Sequence, residues 1–218
     1  MGTNNAMSNY LEQKILEAIL KNTTYTAGAN TYVALYTAAP GEGSAGTEVS
    51  GGSYARQAMA AASAWSAGGQ VSAAYEVNNA ADIAFPTATA DWGEILSAGL
   101  LDASSGGNLL YRMWLSSVGY TFTGLASSDV FTAYGHTLAN GNRVILQGAS
   151  LPTGVSEDTV YYVVGVSGDT FQLSLTSGGS AINITASGAG QVQLLAPKTI
   201  TNGDTFKFLT GTFKVAVA

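Results

Sequence analysis

The sequence contains no cysteine and only one histidine in 218 residues. Without a thiol the chain can form no disulfide, no thiolate metal site and no redox pair, and a single imidazole cannot build a His-pair metal centre. These absences exclude disulfide-stabilised folds, cysteine nucleophiles and the common transition-metal enzymes. We therefore predict no metal site and no cofactor.

Basic residues are also scarce, because 8 Lys and Arg stand against 14 Asp and Glu, for a formal net charge of −6. Nucleic-acid binding needs a stripe of positive side chains to neutralise phosphates, and an anionic bilayer surface repels an acidic protein. No apolar run reaches the ~18 residues of a membrane span, and residues 1–10 lack the basic start of a signal peptide. We expect neither nucleic acid nor a membrane as a partner.

Charged residues of both signs make up only 10% of the chain, against a usual value of about 25%. With 46% hydrophobic residues, the chain is too apolar for a disordered protein. A surface of Ser, Thr, Ala, Gly and Asn lacks the interspersed charge that keeps a cytosolic monomer soluble at high concentration. The composition favours a component of an assembled particle, and a plain β-domain with a bland surface fits it equally well.

The clearest helical signal runs from Ser8 to about Lys21. Ser8 is a good N-cap residue, and Leu11, Ile15 and Ile19 recur on one face at helical spacing. A helix of about fourteen residues is marginally stable alone and must dock through that face. It either packs on the protein's own sheet or inserts between neighbours in an assembly. We name Leu11, Ile15 and Ile19 as candidate assembly contacts.

The rest of the chain is typical of strands and turns, with short apolar or alternating runs bounded by Gly, Pro, Asn, Asp or Ser. The C-terminal segment predicts a hairpin whose strands carry Phe206 and Phe213 and whose turn is Thr210-Gly211. Between residues 118 and 194 the turn signals recur at the spacing of a small sandwich, which indicates a separate module.

We therefore predict a mainly β fold in which a β-sandwich-like host domain with one N-terminal helix is interrupted by an inserted β-sandwich. The predicted boundaries are 1–22 for the N-terminal extension and helix, 23–117 plus 195–218 for the host β-domain, and 118–194 for the inserted domain. Such insertions are tolerated at loop tips when the ends of the inserted unit lie close together.

A loop rich in Gly and Ser between residues 40 and 52 is a second candidate surface. Its spacing over 41–46 formally matches a dinucleotide-binding pattern, but the residues that follow open no helix on which a phosphate could sit. We interpret the loop as an exposed contact region. Its candidate assembly contacts are Gly41, Glu42, Ser50 and Gly51.

Catalytic residue types are present without a recognisable catalytic pattern. His136 lies between two turn signals, and no Gly-x-Ser-x-Gly nucleophile motif occurs in the chain. Four acids could in principle pair as in a glycosidase, yet each lies in a turn-like setting that favours backbone hydrogen bonds. These acids are Asp82, Asp91, Glu94 and Asp102. We predict no catalytic residue and no enzymatic activity.

Five short motifs resemble a family of small phage and prophage virion proteins that are usually labelled tail fibre proteins. In chain order they are LYTAAP (35–40), GTEVSGGSYARQ (46–57), FPTATADW (85–92), GGNLL (106–110) and TITNGDTFKF (199–208). The N-terminal helix also resembles the opening helix of that family. The insert departs from the family pattern, and its residues 129–185 resemble an immunoglobulin-like or bacterial adhesin-like module of phage structural proteins.

The resemblance implies a non-enzymatic structural protein of the tail-fibre type on the surface of a bacteriophage virion, assembled in the host bacterial cytoplasm. Its implied partners are capsid or tail subunits and further copies of itself in a homo-oligomer. The Ig-like insert would present its loops to host surface polysaccharide. Two alternatives stay open, which are a capsid decoration or cement protein that clamps major capsid subunits, and a sugar-binding or depolymerase module.

Overall fold

The computed structural model describes residues 5–41, 45–71 and 74–217. Within these residues the chain has one α-helix and nineteen short strands, and all strand pairs are antiparallel. The mainly β fold with one N-terminal helix is confirmed. The chain divides into two units, Ser116–Ala196 and the residues on either side of it.

The helix α1 is Asn9–Leu20. The strands are β1 (Asn5–Met7), β2 (Asn30–Ala38), β3 (Thr47–Glu48), β4 (Gln57–Ala60), β5 (Gly69–Val71), β6 (Ala74–Asn78), β7 (Ile83–Ala84), β8 (Gly93–Ile95), β9 (Ser97–Leu101), β10 (Leu109–Trp114), β11 (Ser116–Leu125), β12 (Val130–Thr132), β13 (Arg143–Ser150), β14 (Tyr161–Ser167), β15 (Thr170–Ser174), β16 (Gly188–Leu195), β17 (Lys198–Ile200), β18 (Lys207–Phe208) and β19 (Lys214–Val217).

The start of α1 is fixed by Ser8, which is almost completely buried. Its Oγ accepts a hydrogen bond from the Leu11 backbone N–H at 3.2 Å and so satisfies one of the free donors at the helix N-terminus. The same hydroxyl donates to the Leu109 carbonyl, and the Ser8 N–H donates to Leu110 O at 3.0 Å. The cap that begins the helix therefore also ties it to β10.

The main sheet of the flanking unit has the strand order β1-β10-β9-β2-β3, with β4 also paired to β2. Val33, Leu100 and Tyr111 are neighbours in register across its central strands, and all three belong to the main core. Aromatic side chains from later segments, Phe85, Phe206, Phe208 and Phe213 among them, pack with ring centroids 5–6 Å apart. The core thus joins sequence segments that lie more than a hundred residues apart.

The predicted C-terminal hairpin is wrong in its strand partners. A turn does lie at Leu209–Thr212, where the Thr212 N–H donates to Leu209 O at 3.0 Å. However, β18 pairs with β7 and β19 pairs with β6, so the two strands flanking the turn do not pair with each other. Buried Asn79 explains the turn, because its side chain donates to Leu209 O and accepts from Phe213 N.

The unit Ser116–Ala196 is a closed barrel with the strand order β11-β12-β15-β14-β13-β16, and β16 pairs back to β11. A sandwich of the Ig type has two separate sheets with open edges, so the Ig-like description of this segment is not supported. The interior is filled by side chains, with Phe131 and Phe171 stacked at 5.6 Å and Phe122 edge-on to Phe131 at 5.3 Å.

Irregularities in three strands explain why the sheet closes. Register shifts occur between Ser116 and Gly119, between Gln147 and Ser150, and between Val164 and Ser167. The last two contain Gly148 at φ +145° and Gly165 at φ +59°, which are backbone conformations that other residues rarely adopt. Such bulges bend a strand and increase its twist, which lets a small sheet curl until its edge strands meet.

Candidate assembly surfaces

The helix α1 packs against β10 but buries none of its residues completely. Of its predicted contacts, Leu11 and Ile15 are half-buried, whereas Ile19 is 72% exposed. Leu16 and Leu20, which follow the same helix on the outward side, are 56% and 75% exposed. The apolar residues of α1 therefore fall on two sides, one against the protein and one towards solvent.

The outward side forms what we call the outer helix face, made of Leu16, Ile19, Leu20 and the groove beside them. The groove has a volume of about 520 Å³ and is lined by Asn9, Glu12, Gln13, Leu16, Glu17, Leu20 and Lys21. The sequence pattern places Ile19 on one face with Leu11 and Ile15, whereas in the structure Ile19 is exposed on the outward side with Leu16 and Leu20. Helical spacing gives the relative angle of side chains and not which angle faces the sheet. The role of Leu11, Ile15 and Ile19 as assembly contacts stays a prediction.

The two acids on the outer helix face are in different environments. Gln13 Nε2 donates to Glu17 Oε1 at 2.8 Å and Lys14 Nζ donates to Oε2 at 3.3 Å, with Lys21 Nζ at 3.9 Å. These hydrogen bonds, that from Gln13 first, lower the pKa of the Glu17 carboxyl. Glu12 is exposed and forms no ion pair with the described part of the chain.

The second predicted surface is partly assembled by the fold. Ser50 and Gly51 line a polar cleft of about 580 Å³ together with Ser104, Ser105 and Gly106 from the turn between β9 and β10. We call it the serine cleft. Gly51 has φ +74° at the exposed end of the loop, where a glycine is favoured. Gly41 is half-buried and does not line the cleft, and Glu42 lies outside the described residues.

The floor of the serine cleft is held by Arg56. Its guanidinium forms a two-pronged contact with Glu48, with Nε at 2.8 Å from Oε1 and Nη2 at 2.7 Å from Oε2, while Nη1 donates to the Ala103 and Gly106 carbonyls. Glu48 raises the pKa of Arg56 through this hydrogen bond. Tyr54 donates its hydroxyl proton to Glu48 Oε1 at 3.1 Å, and burial raises the pKa of that phenol. The cleft geometry therefore depends on this network.

The barrel unit exposes one large aromatic side chain at a turn. Tyr134 is 84% exposed and lies two residues beyond the end of β12. The turn around it is fixed on both sides, because the Gly135 N–H donates to Asp169 Oδ1 at 2.9 Å and the Thr137 N–H donates to the Tyr120 hydroxyl at 3.2 Å. An aromatic ring on a fixed turn is suited to a contact, since little conformational freedom is lost on binding.

Structural roles account for most of the remaining candidates. His136 Nδ1 accepts from the Leu138 N–H at 3.1 Å, and its ring packs edge-on to Phe171. Asp82, Asp91 and Asp102 accept hydrogen bonds from the backbone N–H groups of Thr210, Asn202 and Asn108, respectively.

Among the residues the structure describes, no three His, Asp or Glu side chains lie close enough together to bind a metal ion. No helix in this part of the chain is long and apolar enough to span a membrane.

Residues 6–132 match the model of a family described as podophage GP4 fiber I protein gp80, which is more than half of the chain. The chain belongs to this family. The residues matched by the gp80 fibre family contain α1 and the strands from β2 to β12, of which β11 and β12 belong to the barrel unit. Strands β13 to β19 lie beyond the match. No curated protein matches the chain in sequence. Membership supports the predicted structural role in a bacteriophage virion and association with other virion components.

Proposed function

We propose that this gp80 fibre family member is a non-enzymatic, tail-fibre-type appendage on the surface of a phage particle. The family match over residues 6–132 is the observation that carries the proposal. The helix and the flanking unit attach the protein to capsid or tail subunits. The barrel unit, an insertion into the flanking domain, is presented outward after assembly in the host cytoplasm.

Attachment through apolar contacts follows from the charge and surface of the described residues. The chain has few charges to use in salt bridges, while α1 exposes Leu16, Ile19 and Leu20 to solvent. In the part of the chain that the structure describes, the edge strand β5 pairs with β6 alone, is exposed and carries no charged residue. An uncharged open edge can pair with the same edge of another copy, and we propose this edge for the homo-oligomer.

Contact with host polysaccharide is proposed for the barrel unit. Its support is Tyr134, whose exposed ring on a fixed turn offers a flat apolar surface for the face of a sugar ring. We propose binding alone here, without cleavage of the polysaccharide.

The second candidate is a capsid cement protein. The division of the chain into two compact units fits a clamp on a capsid surface as well as it fits a short appendage. Immunogold labelling of intact particles with antibody against the barrel unit distinguishes the two. Gold at the tail supports the tail-fibre role. Gold distributed over the head supports the cement role and contradicts the tail-fibre role.

A further inference from the structure

The outer helix face is built like an interface that has one partner missing. Its inward neighbours Leu11 and Ile15 are half-buried on the protein's own sheet, while Leu16, Ile19 and Leu20 are more than half exposed. A helix with apolar residues on two sides covers only one of them by packing on its own sheet, and an exposed apolar patch of this kind marks an interaction site. The face follows three helical turns, which is the shape of a docking groove for an extended or helical segment.

The charges beside the groove limit which partner fits. Glu17 is already surrounded by Gln13, Lys14 and Lys21, whereas Glu12 forms no ion pair with the described residues. Covering the groove removes water from Glu12, and a carboxylate that loses water without gaining a cation or a donor is costly. A suitable partner therefore brings a basic side chain to the Glu12 end of the groove.

A second copy of the same face does not meet this requirement. If two copies paired through this face, the line of contact between the helices would consist of Asn9, Gln13, Leu16 and Leu20. Glu12 and Ile19 would lie on one side of this line and Glu17 on the other. In a parallel pair of helices, one side of the contact line faces the opposite side of the partner helix, which brings Glu12 beside Glu17 of the other copy. In an antiparallel pair the same sides of the two helices face each other, which brings Glu12 beside Ile19 of the other copy. Both arrangements leave Glu12 without a cation.

We propose that the outer helix face docks an apolar segment of a different virion protein, and that this segment places a Lys or Arg beside Glu12. The proposal rests on the proposed function, since the partner is another component of the particle. It separates this contact from the contact between copies, which uses another surface.

A photo-cross-linking amino acid at Leu16 of the full chain tests the identity of the partner. The protein is supplied during infection, the particles are purified and irradiated, and the cross-linked peptides are sequenced by mass spectrometry. We expect a cross-link to a different virion protein, in an apolar segment that contains Lys or Arg. A cross-link to a second copy of this chain, or none in particles that contain the protein, overturns the proposal.

Substitutions test the energetics in competition with the wild type. We expect Leu16→Gln with Leu20→Gln to reduce incorporation by about tenfold or more, the effect of losing a buried anchor at an interface. Gln keeps helix propensity high, so folding is retained and is checked by circular dichroism. Glu12→Lys is expected to reduce incorporation more than Glu12→Gln, because it places two cations together.

Leu125→Gln is the matched control, since Leu125 is 55% exposed, close to the 56% of Leu16, and lies in the barrel unit, outside the proposed attachment region. It should leave incorporation unchanged. Full incorporation of the double leucine variant beside normal incorporation of the wild type overturns the inference alone. If the wild type itself is missing from particles, the proposed function fails and the inference fails with it.

Discussion

Arg56 is the residue on which the serine cleft depends most. Four of its hydrogen bonds reach three separate places: the carboxylate of Glu48, the Ala103 carbonyl and the Gly106 carbonyl. The side chain is only 9% exposed, so its charge is paired in a partly dry environment. Removing it would leave the Glu48 carboxylate without its cation, although still bonded to the Tyr54 hydroxyl, and would take the Arg56 donor away from both carbonyls.

We expect Arg56→Ala to lower the free energy of unfolding by about 2–4 kcal/mol, because breaking a buried pair strands its partner. Arg56→Lys should fall between this variant and the wild type, since an ammonium cannot form the two-pronged contact. Urea unfolding measures both. Lys207→Ala, which breaks the exposed pair with Asp82, is the control and should cost below about 1 kcal/mol. Equal losses of unfolding free energy for Arg56→Ala and Lys207→Ala would show that the Arg56 contacts contribute no more than an exposed ion pair.

Asp82 gives a prediction for pH. The hydrogen bond from Lys207, followed by those from Thr210, lowers the pKa of Asp82 in the folded protein below its ordinary value of 3.8. A depressed folded pKa contributes stability above the unfolded pKa, and that stability is lost as the pH falls through the folded value. The melting temperatures of the wild type and Asp82→Asn should therefore differ more at pH 6 than at pH 3. A difference that stays constant over this range would show that the charge of Asp82 is not involved.

Among the elements, the barrel depends on its irregular strands. Gly148 has φ +145°, and a Cβ there would lie 3.0 Å from Gly190 Cα. We expect Gly148→Ala to destabilise the protein by about 1–2 kcal/mol through backbone strain and close contact. Thermal unfolding measures the change in stability, and hydrogen exchange of the backbone amides in β13 and β16 shows whether the effect is local to the bulge. Gly69→Ala has free space around its Cβ and should change stability by less than about 0.5 kcal/mol. A neutral Gly148→Ala would mean that the bulge does not set the closure.

The elements also show what the sequence can and cannot predict. The start of α1 was predictable, because the cap Ser8 and the residues it serves are three positions apart. The partners of β18 and β19 were not, because they lie more than a hundred residues earlier in the chain, at β7 and β6. Closure of the barrel depends in the same way on pairing between β11 and β16. The serine cleft combines Ser50 with Ser104, and no local pattern connects these two residues.

At the scale of the whole molecule, the barrel unit has ends that suit removal. Ser116 at the start of β11 and Leu195 at the end of β16 are paired in register, so the barrel unit begins and ends at neighbouring backbone positions. Leu115 comes just before this unit in the chain, and Pro197 comes just after it. We expect deletion of residues 116–196, with two glycines joining Leu115 to Pro197, to leave a folded flanking unit. Cooperative urea unfolding of the shortened chain is the measurement, and residues 116–196 expressed alone are the control. Aggregation of the shortened chain would refute the insertion model.

We propose that this protein acts as a fixed part of the virion. The most direct test is the number of copies per particle in gradient-purified phage, measured by quantitative mass spectrometry against a known structural protein. We predict a constant copy number that survives repeated purification. If the protein were absent from purified particles and found only free in the infected cell, it would not be a structural component of the virion.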